Sequence, residues 1–340
     1  MVFEWSRDRE RQPAALRPAI LRACLALLVW PMAWHSGAAS AADYPAKAVT
    51  VVVPAPPGGI IDASARLIST QLARALAQPF VIENKGGGSG NVAYAQVARS
   101  PADGYLLLAS YSGYHIGNPL LTPRLPWSQK ELEPVALIAT AANVITVHPS
   151  VPARTLAELI AYLKAHPGAL SYASQGNGSV SHIGTEIFKQ QTGTQMLHVP
   201  YRGSGPALQD VLANQVQIFI TTPPSVIGHI KAGKLRALAV TAKQRHPELP
   251  YVPTTAEAGL KGYELETWVA LFAPAGTPRP IVEKLSAQVR QALEKPETRA
   301  AAEAAGFEAH YEPPEAVARR VAAESQAWGR AIRDGNIKAD

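Results

Sequence analysis

The sequence predicts an α/β fold in two domains, with parallel sheets covered by helices on both faces. Three observations predict it. Short β-branched runs alternate with helical patterns along the whole chain. The runs are apolar at consecutive positions rather than at every second one, as in strands buried on both faces. A chain of 340 residues with 47% hydrophobic and 17% charged residues carries enough apolar side chains for more than one core.

The first 41 residues stand apart. Arg7, Arg9, Arg11, Arg17 and Arg22 outnumber Glu4, Asp8 and Glu10, an apolar stretch runs from Ala23 to Trp34, and small residues end at Ala39-Ser40-Ala41. A positive start, a short apolar middle and an A-x-A end make a secretory signal peptide, cleaved after Ala41, so the mature chain is expected to be exported. The competing reading is a membrane anchor, but the run is shorter than the roughly 18 to 20 residues that span a bilayer, and Pro31 interrupts it. Cleavage removes Cys24, the single cysteine, and Arg22 disfavours lipid attachment there. The mature chain then has no thiol, disulfide or cysteine-ligated metal. Its formal charge falls from +6 to +4, with no basic stripe interleaved with aromatics, so nucleic acid is not an expected partner.

Strands are expected at 48–53, 80–84, 105–110, 135–147, 170–174, 196–199, 216–221, 235–241 and 266–274, each a compact apolar run bounded by polar, glycine or proline residues. Between Asp62 and Ala77, Ala65, Ile68, Leu72 and Leu76 recur at helical spacing, and Leu156, Leu159, Ile160 and Leu163 repeat the pattern before a Pro-Gly stop. From Pro278 three alanine-rich helices follow, one ending at Gly306 and the last running from Pro314 to Asp334.

The chemistry begins with what is missing. There is no G-x-x-x-x-G-K-[ST], H-E-x-x-H or G-x-S-x-G, and "GGGSGN" (86–91) has the wrong spacing for a dinucleotide fingerprint. It reads as a loop into a helix near Asn91. The nine histidines show no metal-ligand spacing with a carboxylate partner, and no cofactor is expected. His182 stands in the first turn of a helix beside a glycine-rich loop, where a local hydrogen bond, a ligand contact and a general-base role compete.

Two segments share one design. "PAPPGGIID" (54–62) and "YASQGNGS" (172–179) each follow an apolar strand and feed a helix, so each presents backbone N–H groups at a positive helix end. Either alone also reads as an ordinary glycine-rich turn. Their pairing in the two halves of an exported chain favours a carboxylate clamp, with Ser174, Asn177 and Ser179 adding neutral hydrogen-bonding groups. Asp62 is expected to cap the helix that follows.

The motifs "YPAKAVTVVVPAPPGGIID", "ENKGGGSGN", "PADGYLLL", "SYASQGNGSVSHIGTEIF", "HVPYRGSGPALQDVLANQVQIF", "IKAGKLRALAVT", "PTTAEAGLKGYELETWVALFAPAGTP" and "WGRAIRDGNIKAD" follow one another in order. In these the chain resembles the Bug family, the TctC-like periplasmic solute-binding receptors of tripartite tricarboxylate transporters. The resemblance implies a type II periplasmic binding protein, or Venus flytrap, with two Rossmann-like α/β domains joined by a hinge that the chain crosses twice. It places domain 1 at 42–142 plus 264–340 and domain 2 at 143–263. It also implies a monomer that delivers a small carboxylate to the membrane subunits of the transporter. The carboxylate would be held, partly through water, by Pro56, Pro57, Gly58, Gly59, Ile60, Ile61 and Asp62 of the first loop. Ser174, Gln175, Gly176, Asn177, Gly178 and Ser179 of the second would hold it from the other side, with His182 behind.

Departures from the family pattern are Ala55 for a usual phenylalanine, Ile60-Ile61 for a small residue and threonine, and Gln217 and Thr221 for common aspartates. The bulkier Ile60-Ile61 would narrow the pocket and remove a hydroxyl, and the last change would leave one strand end without acidic groups, favouring a carboxylate with an apolar body over an amino acid. Two other readings remain: a receptor that presents its closed form to a sensor kinase, and an exported enzyme using Ser179 and His182.

Overall fold

The computed structural model describes residues 44–339, so the signal peptide, Cys24 and the cleavage site lie outside the described residues. The chain opens with β1 (Val49–Val53), α1 (Ile60–Leu76), β2 (Phe80–Asn84), α2 (Asn91–Ala98) and β3 (Leu106–Tyr111). A π-helical turn at Gly113–Gly117 leads into the short α3 (Asn118–Leu121), and then comes β4 (Leu132–Ala142). After Asn143 follow β5 (Val144–Val147), α4 (Leu156–Ala165), β6 (Ser171–Ser174), α5 (Val180–Thr192) and β7 (Leu197–Pro200). Next are α6 (Ser204–Leu212), β8 (Ile218–Thr221), α7 (Pro223–Lys231) and β9 (Arg236–Val240). The chain closes with β10 (Glu266–Pro274), α8 (Arg279–Glu294), α9 (Pro296–Ala304), β11 (Glu308–Glu312) and α10 (Pro314–Asp334).

Two sheets result, each with its own helices, and we call each sheet with its helices a lobe. The first has the order β11-β4-β10-β3-β1-β2 and the second β7-β6-β8-β5-β9. Both are mixed, which corrects the expectation of parallel sheets. Strands β1, β2 and β3 are parallel, whereas β10 runs against β3 and β4, and β11 against β4. In the second sheet β6 is parallel to β7 and β8, and β5 runs against both β8 and β9. The reversal has a local cause at β5 and β10. These strands arrive from the other sheet instead of through a helical crossover on their own, so the rule that keeps β-α-β units parallel does not act on them.

The apolar run 135–147 is divided at Asn143, which puts β4 in the first sheet and β5 in the second. Strand β11 was absent from the sequence expectation because its residues, Glu-Ala-His-Tyr-Glu, are polar and half-buried or exposed at an edge. The centre of the second sheet is buried on both faces, as alternation along β8 shows. Ile218 and Ile220 join one apolar cluster with Tyr172, Leu159 and Leu163, while Phe219 between them joins Val144, Val211 and Val226 on the other face.

The two crossings are tied together by buried hydrogen bonds. The Asn143 N–H donates to Thr241 Oγ1 (2.8 Å), its side-chain amide donates to Leu265 O (3.0 Å) and Thr267 Oγ1 (3.2 Å), and Thr241 Oγ1 donates to Leu265 O (2.7 Å).

Candidate ligand-binding site

The loops after β1, β6, β7 and β8 leave the carboxyl ends of parallel strands, where open α/β sheets place their ligand crevices. In the first loop Gly58 has φ +101°, which an L side chain rarely adopts, and Gly59 is the extended N-cap of α1 with no side-chain cap. The first amides of α1 therefore have no acceptor within the helix. Ile60 and Ile61 begin α1 and their side chains belong to the main apolar cluster.

Asp62 sits inside the first turn of α1 rather than at the N-cap. It reaches back to accept from Gly58 N (3.3 Å), accepts from Arg66 Nε (3.0 Å) and from Asn84 Nδ2 (2.9 Å), and is buried. Asn84 also donates to Ala55 O (3.1 Å). The carboxylate thus holds the loop's shape while Arg66 neutralises it.

The second loop is closed by its own hydroxyls. Ser179 is the N-cap of α5, accepting from His182 N (3.2 Å) and donating to Gly176 O (2.6 Å). Gly176 and Gly178 have φ +119° and +78°. His182 is buried and makes the local hydrogen bond of a helix-start residue, accepting at Nδ1 from Gly178 N (3.3 Å). Its ring stacks on His198 at 4.4 Å, and His198 stacks on Tyr172 at 4.8 Å. In the second loop Ser174 Oγ lies 2.6 Å from His198 Nε2, while Ser179 Oγ meets His182 at the histidine's backbone N–H as a helix cap, the role expected of a serine at that spacing. Ser174 Oγ also accepts from Gly176 N (3.2 Å), which makes it part of the turn.

The two loops meet around Ser204 at the start of α6. Gln175 Nε2 donates to Ser204 Oγ (2.7 Å) and Thr221 Oγ1 (3.2 Å), and a Cβ added to Gly59 would lie 3.0 Å from Ser204 Oγ. The lobes touch directly here. Tyr114 donates to Gln175 O (2.7 Å), and Val180 N donates to the Tyr111 hydroxyl (3.2 Å). Pro56 packs on Gly203, where an added Cβ would lie 2.6 Å from Cδ. Burial raises the Tyr111 and Tyr114 phenols, so both stay protonated donors. Within the π-helical turn, burial lowers the His115 imidazole to about 3, and the neutral ring shares a 3.0 Å hydrogen bond with Ser110 Oγ.

Sequence reasoning missed Tyr111, Tyr114 and Ser204. The last was findable, since "YRGSGP" repeats the strand-loop-helix pattern with glycine and a hydroxyl. Gln217 and Thr221 do not form one strand end. Thr221 is at the carboxyl end of β8 beside Gln175, whereas Gln217 precedes the strand and accepts from Ser171 N (3.2 Å). A groove of about 1210 Å³ on the crossing segments, lined by Thr140, Thr241, Leu265, Arg290 and His310 among others, includes none of the residues of either loop. Among the described residues no group of three or more His, Cys, Asp or Glu side chains is arranged to hold a metal ion.

The family model described as the tripartite tricarboxylate transporter family receptor, TctC, matches residues 64–337. The chain belongs to the TctC receptor family. The match spans the second loop, α6 and α7. The protein BugT of Bordetella pertussis is 36% identical over 301 residues, 88% of this chain and 92% of BugT. The solved structure of Rhodopseudomonas palustris Rpa4515 with adipate is 37% identical with a TM-score of 0.85, covering 87% of this chain and 99% of that one. MatC from the same organism, with bound malate, is 34% identical with a TM-score of 0.80, over 85% and 100% of the two chains. TctC receptors are solute-binding proteins of the type II periplasmic fold and not enzymes, and the structural relatives are of that kind.

Proposed function

We propose that this TctC receptor is exported to the periplasm, captures a small carboxylate between its two glycine-rich loops, and delivers it to the membrane subunits of a tripartite tricarboxylate transporter. The division into 42–142 plus 264–340 and 143–263 belongs to this reading, with Asn143, Thr241 and Leu265 as the hinge. The carrying observation is the meeting of both loops at Ser204, where hydroxyls, an amide and two helix starts converge while Asp62, the one carboxylate, is held by Arg66.

The energies are sufficient. A helix start contributes about 0.3 to 1 kcal/mol to holding an anion, and up to about 2 when partly buried. Hydrogen bonds to a charged acceptor add roughly 1.5 to 3 kcal/mol each. Two helix starts and two or three such bonds reach the roughly 8 kcal/mol of micromolar binding, provided that closure excludes water. That the adipate and malate proteins share the fold supports the ligand class.

A thermal-shift screen of residues 42–340 against small mono- and dicarboxylates tests it. A ligand at 100 times its Kd adds about 2.7 kcal/mol of stability. No stabilisation by any carboxylate, with stabilisation by amines or sugars instead, would overturn the reading.

A further inference from the structure

Thr222 and Ser225 at the start of α7 are buried, with 2% and 5% of their surface exposed, and neither hydroxyl has a hydrogen-bond partner. Such groups cost stability wherever they occur, so their retention calls for a reason. Thr222 occupies the N-cap, where a threonine hydroxyl ordinarily accepts an amide of the first turn. It makes no such bond here. The reason is local: Pro223 and Pro224 have no N–H, and Ser225 N donates to the backbone oxygen of Thr222 (3.1 Å).

Ser225 faces the clamp, and Thr222 stands at the N-cap of the same helix start, three residues before it. Ser225 Oγ would lie 3.9 Å from a Cβ on Gly59, next to Ser204 Oγ at 3.0 Å. The other side of the α7 start is seated on the first lobe, since a Cβ on Gly306 would lie 3.0 Å from Pro223 Cβ. A ligand reaching α7 therefore touches a point where the lobes already meet.

Resting on the carboxylate reading, we infer that Thr222 and Ser225 form a second subsite in the cleft, which binds a neutral oxygen of the ligand, a hydroxyl or keto group, a few bonds from the clamped carboxylate. The prolines decide the neutral class. They remove the first amides that would otherwise hold an anion, and leave hydroxyls that both donate and accept. Burying a second carboxylate there would need charged or multiple donors that α7 does not present.

The test uses residues 42–340 and calorimetric titration with butyrate, its 2-, 3- and 4-hydroxy derivatives, 2-oxobutyrate and succinate. At least one hydroxy or oxo acid should bind at least tenfold more tightly than butyrate. In Thr222→Val with Ser225→Ala that advantage should vanish, with butyrate affinity within about threefold of native. The single variants Thr222→Val and Ser225→Ala guard against misfolding in the pair, and each should lose part of the advantage. An advantage unchanged in the variants, or succinate preferred over every neutral-oxygen acid, would overturn the subsite and leave the clamp standing. Failure of all six acids to bind the native chain, when longer or aromatic carboxylates do bind, would also overturn only the subsite. Failure of every carboxylate would overturn both.

Discussion

Gly117→Ala separates closure from folding. Gly117 has φ −67° and ψ −42°, ordinary helical values that alanine also adopts, so the lobe that carries it should keep its structure. Alanine there should raise intrinsic stability by up to about 1 kcal/mol through the unfolded chain. The obstacle lies across the cleft. An alanine Cβ would come within 2.1 Å of Gly178 O and 2.9 Å of Ile183 Cδ1, and Gly178 O is backbone of the second loop. Relief to an ordinary contact demands that the loops part by roughly 1 Å. That shift would stretch the hydrogen bonds from Tyr114 to Gln175 O, now 2.7 Å, and from Val180 N to Tyr111, now 3.2 Å, beyond useful length. At about 0.5 to 1.5 kcal/mol each, their loss disfavours the closed form by about 1 to 3 kcal/mol, or roughly 5- to 150-fold in affinity for any ligand that requires closure. The assay is calorimetric titration with whichever carboxylate stabilises the native chain, paired with small-angle scattering at saturating ligand. The variant should melt no lower than native, bind at least fivefold more weakly and compact less. Native affinity and native compaction in Gly117→Ala would refute the claim that this contact limits closure.

Two further outcomes follow from buried polar groups. Asn143→Ala removes two buried hydrogen bonds at the crossing, to Leu265 O and Thr267 Oγ1, each worth about 0.5 to 1.5 kcal/mol, so urea unfolding should show a loss of about 1 to 3 kcal/mol although Leu265 O keeps its bond from Thr241. A change below about 0.5 kcal/mol would mean that the crossing does not depend on this amide. His115 should give acid sensitivity: its folded-state value of about 3 lies below the ordinary 6.5, so the unfolded chain takes up a proton that the folded chain refuses. Its contribution is whole above pH 6.5 and is lost as pH falls toward 3, by up to about 1.4 kcal/mol per pH unit. His115→Phe keeps a ring against Phe272, now stacked at 4.4 Å, and should flatten that slope between pH 6.5 and 5 in urea titrations. An unchanged slope would show that other groups set the acid response.

Much of this protein was determined by sequence alone. Strand β10 begins and ends where its run does, because every residue after Glu266 is buried; β2 also keeps its expected bounds, although it lies at the sheet edge with Val81 exposed. The two glycine-rich loops were legible because a turn into a helix is governed by local chemistry: positive φ at Gly58, Gly176 and Gly178, and a serine cap at position 179. Tertiary structure decided the rest. The direction of β5 and β10 depends on which sheet each enters, and no residue within either strand encodes that. The stacking of His182 on His198 and the capture of Asp62 by Arg66 and Asn84 join residues on different elements or on successive turns. Thr222 and Ser225 look like ordinary helix-start residues in "TTPPS"; only the placement of α7 against Gly59 buries both hydroxyls and sets Ser225 Oγ near the first loop. Local propensity acts over a few residues, whereas a binding site is a convergence of several helix starts whose meeting point is set by how the two sheets pack.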